Sequence, residues 1–178
     1  MNLANKLTIL RIFLIPLFMM FLLSRVPYGV TIAAGIFIIA AITDTLDGYI
    51  ARKKNQITTF GKFMDPLADK LLVSAALISL VQMGRLSAWI VVVIISREFT
   101  ISVLRAVAAA EGIVISASWW GKAKTITQIL AIIFILLDNF PFHYINFPFD
   151  VIMLWVAVIF TIISGIDYLR INKHVLKH

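Results

Sequence analysis

The sequence predicts an all-α integral membrane protein of six transmembrane helices with a short N-terminal interfacial segment. Three observations predict it. Of the 178 residues, 61% are hydrophobic, whereas a soluble domain has about 45–50%. The mean hydropathy is +0.99. The apolar residues also fall into runs close to the roughly 20 residues that a helix needs to cross a bilayer. A net charge of +7 in such a chain reports orientation and attraction to anionic lipid or phosphate, and nucleic acid is not an expected partner. Cysteine is absent, which excludes disulfides, a thiol nucleophile and a thiolate metal site.

The first run, Leu7–Ser24, follows a short segment carrying Lys6. It is too long for a signal-peptide core and lacks a small-residue cleavage site, so it reads as a retained span. Val26-Pro27-Tyr28-Gly29 is a turn. Val30–Ile50 is the second span, with Asp44 and Asp47 in its last turns, and Arg52-Lys53-Lys54-Asn55 reads as a basic loop. Gly61–Met83 is the third span, with Asp65 and Asp69 in its first turns. Gly84-Arg85 breaks the pattern, and Ser87–Ala110 is the fourth, interrupted by Ser96-Arg97-Glu98. A connector, Glu111–Gly121, leads to the fifth span, Lys122–Leu137. A loop with Pro141 and Pro148 precedes the sixth, Asp150–Leu169, which ends at Arg170 and a basic tail. The whole, residues 1–178, reads as one membrane domain.

Basic residues accumulate on the cytoplasmic side of membrane proteins. With a cytoplasmic N-terminus, Arg52, Lys53, Lys54, Lys62, Lys122, Lys124 and Arg170 fall inside, and the outer loops keep Arg25 and Arg85. The opposite orientation would place nearly all the charge outside. The chosen one gathers the end of the second span, the start of the third, the end of the fourth and the start of the fifth at the inner interface.

The stretch Asp44–Asp69 then carries the chemistry. Asp44 and Asp47 are spaced i, i+3, and Asp65 and Asp69 i, i+4, so each pair shares a helical face. Any one of these aspartates alone reads as a cap or an interfacial residue. Four converging carboxylates at a membrane edge are costly without a partner. Oxygen-only ligation points to Mg²⁺, Mn²⁺ or Ca²⁺. Two such ions would clamp the attacking and leaving oxygens of a phosphoryl-type displacement. Gly48, Ala51 and Gly61 keep the facing helices thin, and Arg52 can pair with a phosphate bidentately. A cation transporter with intramembrane aspartates is the competing class, but an ion path has no use for an arginine beside its carboxylates.

The pattern D44-x2-D47-G48-x2-A51-R52-x8-G61-x3-D65-x3-D69 resembles, without departure, the signature of the CDP-alcohol phosphotransferases. Asn5-Lys6-Leu7-Thr8 with Arg11, Ser96-Arg97-Glu98-Phe99 with Leu104-Arg105, and Gly121-Lys122-x-Lys124-Thr125 extend the likeness to the bacterial branch that uses sn-glycerol 3-phosphate. The resemblance implies transfer of a phosphatidyl group from CDP-diacylglycerol to that alcohol, with release of CMP. It implies two divalent ions, Mg²⁺ or Mn²⁺, held by Asp44, Asp47 and Asp65, with Asp69 at the edge of the metal site as general base. Asp47, Gly48, Ala51, Arg52 and Gly61 would contact the CDP moiety. The implied setting is a homodimer in the bacterial cytoplasmic membrane, among membrane lipids, with the site facing the cytoplasm.

The acceptor phosphate needs cations, and Arg105, Lys122, Arg97 and Lys124 are the candidates. Arg97 interrupts an apolar helix, though a salt bridge with Glu98 or snorkelling would also account for it. Lys122 and Lys124 open a helix at the inner interface, where topology alone would also place them. The same chemistry with another alcohol, such as inositol phosphate, serine or phosphatidylglycerol, is the alternative within the family.

Overall fold

The computed structural model describes residues 3–53, 59–113, 115–116 and 118–172, and leaves out the side chains of 3–4, 45–53, 59–60 and 62–63. Among the described residues there are six α-helices and no strand: α1 (Leu3–Leu23), α2 (Gly29–Lys53), α3 (Thr59–Gln82), α4 (Ala88–Ala110), α5 (Trp119–Leu136) and α6 (Phe149–Ile171). A short 3-10 turn, Phe142–Ile145, precedes α6. The connections are short, so successive helices run antiparallel. This puts the start of α1, the end of α2, the start of α3, the end of α4, the start of α5 and the end of α6 at one level.

By length and composition α1, α5 and α6 can cross a membrane, and Gly29–Asp44 of α2 is a shorter apolar stretch. The expected six-helix architecture is present. The 23 residues of α4 extend about 35 Å, enough for a hydrocarbon core of about 30 Å. What sets α3 and α4 apart in composition is Asp65, Asp69 and Lys70 on one, and Arg97, Glu98 and Arg105 on the other. Large apolar side chains face outward on every helix, among them Phe13, Ile39, Ile78, Val103, Ile126 and Ile166. Such a surface suits lipid rather than water.

The boundaries differ from the sequence reading at a few places. The short N-terminal segment is the first turn of α1 itself. Arg52 and Lys53, read as loop, belong to the last turn of α2. Both residues are good helix formers, and basic side chains suit a helix C-terminus. Lys54 and Asn55 lie outside the described residues. The start of α5 takes in Trp119 and Trp120, because Ser118 caps it by accepting a hydrogen bond from the Gly121 amide at 3.1 Å.

The core is built on α1, which packs against α2 and α3. Phe18 and Phe37 are fully buried and their rings meet at 5.8 Å. Ala33, Ala34 and Ala40 present a small-residue face on α2, which lets helices approach closely in a membrane. The turn into α2 needs Gly29, since a Cβ there would lie 2.6 Å from the Phe21 carbonyl oxygen. On the other side α6 packs against α5 and α4. There Ile101, Leu104, Ala108 and Tyr168 form a second small core beneath the polar end of α4.

Candidate active site

The carboxylate side of the polar end is held by α1. Arg11, fully buried, is ion-paired with Asp44, its Nη1 2.7 Å from Oδ1. Thr8, also fully buried, donates from Oγ1 to Asp65 Oδ1. Thr8 and Arg11 are three residues apart on one face of α1, so a single helix face fixes one carboxylate on α2 and another on α3. Gly61, in the first turn of α3, is buried. The backbone of α2 is helical through Lys53, so the i, i+3 register of Asp44 and Asp47 holds. The side chains of Asp47, Gly48, Ala51 and Arg52, all expected at the site, lie outside the described residues.

Beside these carboxylates lies a cavity of about 750 Å³, lined by Asp69 and Lys70 of α3, by Arg97, Glu98 and Arg105 of α4, by Ser118, Gly121 and Lys122 at the start of α5, and by Tyr168 of α6. Arg105 donates from Nε to the Tyr168 hydroxyl at 2.6 Å, and its guanidinium stands 5.3 Å from that ring's centre. Lys122 is exposed at the mouth. Lys124 is 2% exposed and ion-paired with Glu98. It lines a second, small cavity of about 30 Å³ that shares Asp69, Lys70 and Glu98 with the first. Arg97 Nη1 lies 3.8 Å from Glu98 Oε1.

The structure thus gathers Asp69, Arg97, Arg105 and Lys122 around one cavity and places Lys124 on the small second one. Glu98, expected as a salt-bridge partner of Arg97, lines the first cavity as well; Lys70, Ser118 and Tyr168 also line it and were not singled out from the sequence. Lys70 could have been found by its place next to Asp69. Tyr168 had no local signal, because its partner Arg105 is 63 residues away.

A model of the CDP-alcohol phosphatidyltransferase family matches residues 1–163. The chain belongs to the CDP-alcohol phosphatidyltransferase family. It is 52% identical to the CDP-diacylglycerol–glycerol-3-phosphate 3-phosphatidyltransferase of Bacillus subtilis (strain 168), over 99% of this chain and 97% of that protein. It is 42% identical to the Haemophilus influenzae protein of the same name, over 97% and 94% of the two chains. A probable phosphatidylglycerophosphate synthase of Mycobacterium tuberculosis is 41% identical over 94% of this chain and 79% of its own length. Membership in this transferase family leaves the ion-pathway reading without support.

CDP-alcohol phosphatidyltransferases generally depend on a divalent metal. The donors here fit a hard cation in kind: Asp44, Asp65 and Asp69 offer oxygen alone. Thr8 and Arg11 each fix one carboxylate oxygen, as outer partners of metal ligands do. Among the described residues no three acidic or histidine side chains form a group able to hold an ion, and Asp47, the fourth carboxylate of the motif, has its side chain outside that set.

Proposed function

We propose that this chain transfers the phosphatidyl group of CDP-diacylglycerol to sn-glycerol 3-phosphate, giving phosphatidylglycerol phosphate and CMP for phospholipid synthesis. The observation that carries the reading is the cavity where Asp69 faces Arg97, Arg105 and Lys122. One wall is acidic and the other is cationic and suited to a small phosphorylated alcohol. The names of the bacterial relatives support the same pair of substrates.

In this reading Asp44, Asp47, Asp65 and Asp69 would hold two divalent ions, Mg²⁺ or Mn²⁺, which would supply positive charge to offset the diphosphate and the leaving CMP. Gly48, Ala51, Arg52 and Gly61, with Asp47, seat the CDP moiety. Arg105, Lys122, Arg97 and Lys124 hold the acceptor phosphate by charge-assisted hydrogen bonds. The acceptor's primary hydroxyl then lies toward Asp69, whose carboxylate takes its proton. The oxygen attacks the phosphorus bearing diacylglycerol, and the bond from that phosphorus to the oxygen of CMP breaks. The lipid tails stay in the bilayer, with the site at the cytoplasmic face of the bacterial membrane and the chain working as one domain in a homodimer.

The test is product identity. Purified protein, CDP-diacylglycerol and Mg²⁺ or Mn²⁺ are incubated with radiolabelled glycerol 3-phosphate, serine or inositol phosphate in separate reactions. Label should enter the organic phase with glycerol 3-phosphate and co-migrate with phosphatidylglycerol phosphate. Incorporation of another alcohol in its place would replace the acceptor and keep the family.

A further inference from the structure

Two of the acceptor-side arginines are shaped by a helix that brings no charge of its own to the cavity. Arg97 and Arg105 lie eight residues apart and so share a face of α4. Opposite them on α6, Gly165 and Tyr168 lie three apart and share a face too. A Cβ on Gly165 would stand 3.3 Å from Arg97 Cγ, closer than most side chains tolerate. A Cβ on Gly121, at the start of α5, would stand 3.7 Å from Arg97 Nη2. The Arg97 side chain therefore runs from α4 across the bare backbone of Gly165 to the start of α5. It is 13% exposed, its buried Nε has no hydrogen-bond partner, and Nη1 reaches Glu98 only at 3.8 Å, so the course of the arm is set mainly by shape. Tyr168, 2% exposed, does the reverse for Arg105: its hydroxyl accepts from Nε, and its ring stacks near the guanidinium. Thr161 and Ser164, buried on the same stretch of α6, satisfy their hydroxyls on α6 backbone carbonyls and leave this face to the arginines.

We propose that Gly165 and Tyr168 are positioning residues for acceptor recognition. Gly165 is the slot through which Arg97 reaches the cavity, and Tyr168 is the clamp that sets where Arg105 points. The inference rests on reading the cavity as the acceptor-phosphate site. It adds that α6 sets the spacing of the two guanidinium groups and with it the selectivity for a phosphorylated alcohol.

The experiment measures glycerol 3-phosphate binding calorimetrically, and steady-state constants for both substrates, in wild type, Gly165→Ala, Tyr168→Phe and the control Gly35→Ala, whose Cβ meets nothing within 4 Å. Misaligning one charge-assisted contact should weaken glycerol 3-phosphate binding and raise its KM about fivefold in Gly165→Ala and about tenfold in Tyr168→Phe. kcat, the KM for CDP-diacylglycerol and the control should stay within about twofold, because the carboxylate wall is untouched. The melting temperature of Gly165→Ala should not fall, since alanine is the better helix former. Unchanged glycerol 3-phosphate affinity in both variants, or equal losses on both substrates, overturns the inference. Wild type that binds glycerol 3-phosphate but releases no CMP with it overturns the proposed reaction, and the binding series still decides the slot. Wild type that does not bind glycerol 3-phosphate overturns both.

Discussion

On the α1–α3 side of the site Asp44 and Asp65 are each held by a buried residue of α1, Arg11 and Thr8. On the α4–α6 side Arg97, Arg105 and Lys122 line the cavity, and Glu98 is ion-paired with Arg97 and Lys124. The first wall has acidic oxygens fixed in advance, as a site for cations and a diphosphate requires. The second has more positive charge than it can pair, which suits an anion arriving from water. In the proposed reaction this difference would place the nucleotide lipid and the divalent ions on the acidic wall and the phosphorylated alcohol on the basic one. Asp69, lining the cavity between them, is where the two substrates would react.

Changes to either wall should separate cleanly in kinetics. The largest effect is expected on the acidic side. Asp65→Ala should lower CMP release by more than about 100-fold, the upper range for losing an outer partner of a metal site. Thr8→Val, which removes only that outer partner, should raise the Mg²⁺ or Mn²⁺ concentration for half-maximal activity about tenfold. A metal titration of both variants checks this. On the basic side Arg105→Ala should raise the KM for glycerol 3-phosphate about 10–100-fold with the KM for CDP-diacylglycerol unchanged. Parallel losses on both substrates would erase the distinction between the walls.

A smaller and different effect is expected at the pair of Glu98 and Lys124. Glu98→Gln leaves the buried ammonium of Lys124 without its counter-charge, and should cost about 3 kcal/mol of stability. The double variant Glu98→Gln/Lys124→Met should recover most of that in a denaturation measurement and still bind glycerol 3-phosphate poorly. The smallest effect belongs to the far end of the bundle. Arg85 donates to the Ile135 carbonyl and pairs with the exposed Asp138. Arg85→Ala should cost about 1 kcal/mol or less and leave both KM values alone.

The two walls were not equally legible in the sequence. The acidic wall sits within 26 residues, Asp44–Asp69, at spacings that a helix turns directly into shared faces. That is why its carboxylates, and the helices carrying them, could be read from the chain. The basic wall is assembled from α4, α5 and α6. Arg97, Arg105, Lys122 and Lys124 were found as charges in apolar surroundings, and Glu98 as a partner for Arg97, but the cross-helix partners were not. The pairing of Arg105 with Tyr168 and the passage of Arg97 over Gly165 depend on how α4 packs against α6, which no local spacing encodes. Helix ends were misplaced by a few residues for a related reason. Arg52-Lys53 looks like a loop by polarity, yet propensity and the helix dipole carry α2 through it.

The most direct test of the account is CMP release by purified protein with CDP-diacylglycerol. It is assayed with and without glycerol 3-phosphate, with and without Mg²⁺ or Mn²⁺, and beside Asp69→Asn. The account predicts release that requires the metal and the acceptor together, disappears on chelation, and falls about 10²–10⁴-fold in the variant, the range for loss of a general base. Release that proceeds at the wild-type rate in Asp69→Asn, or that ignores glycerol 3-phosphate, would contradict the placing of Asp69 at the point where the two substrates react.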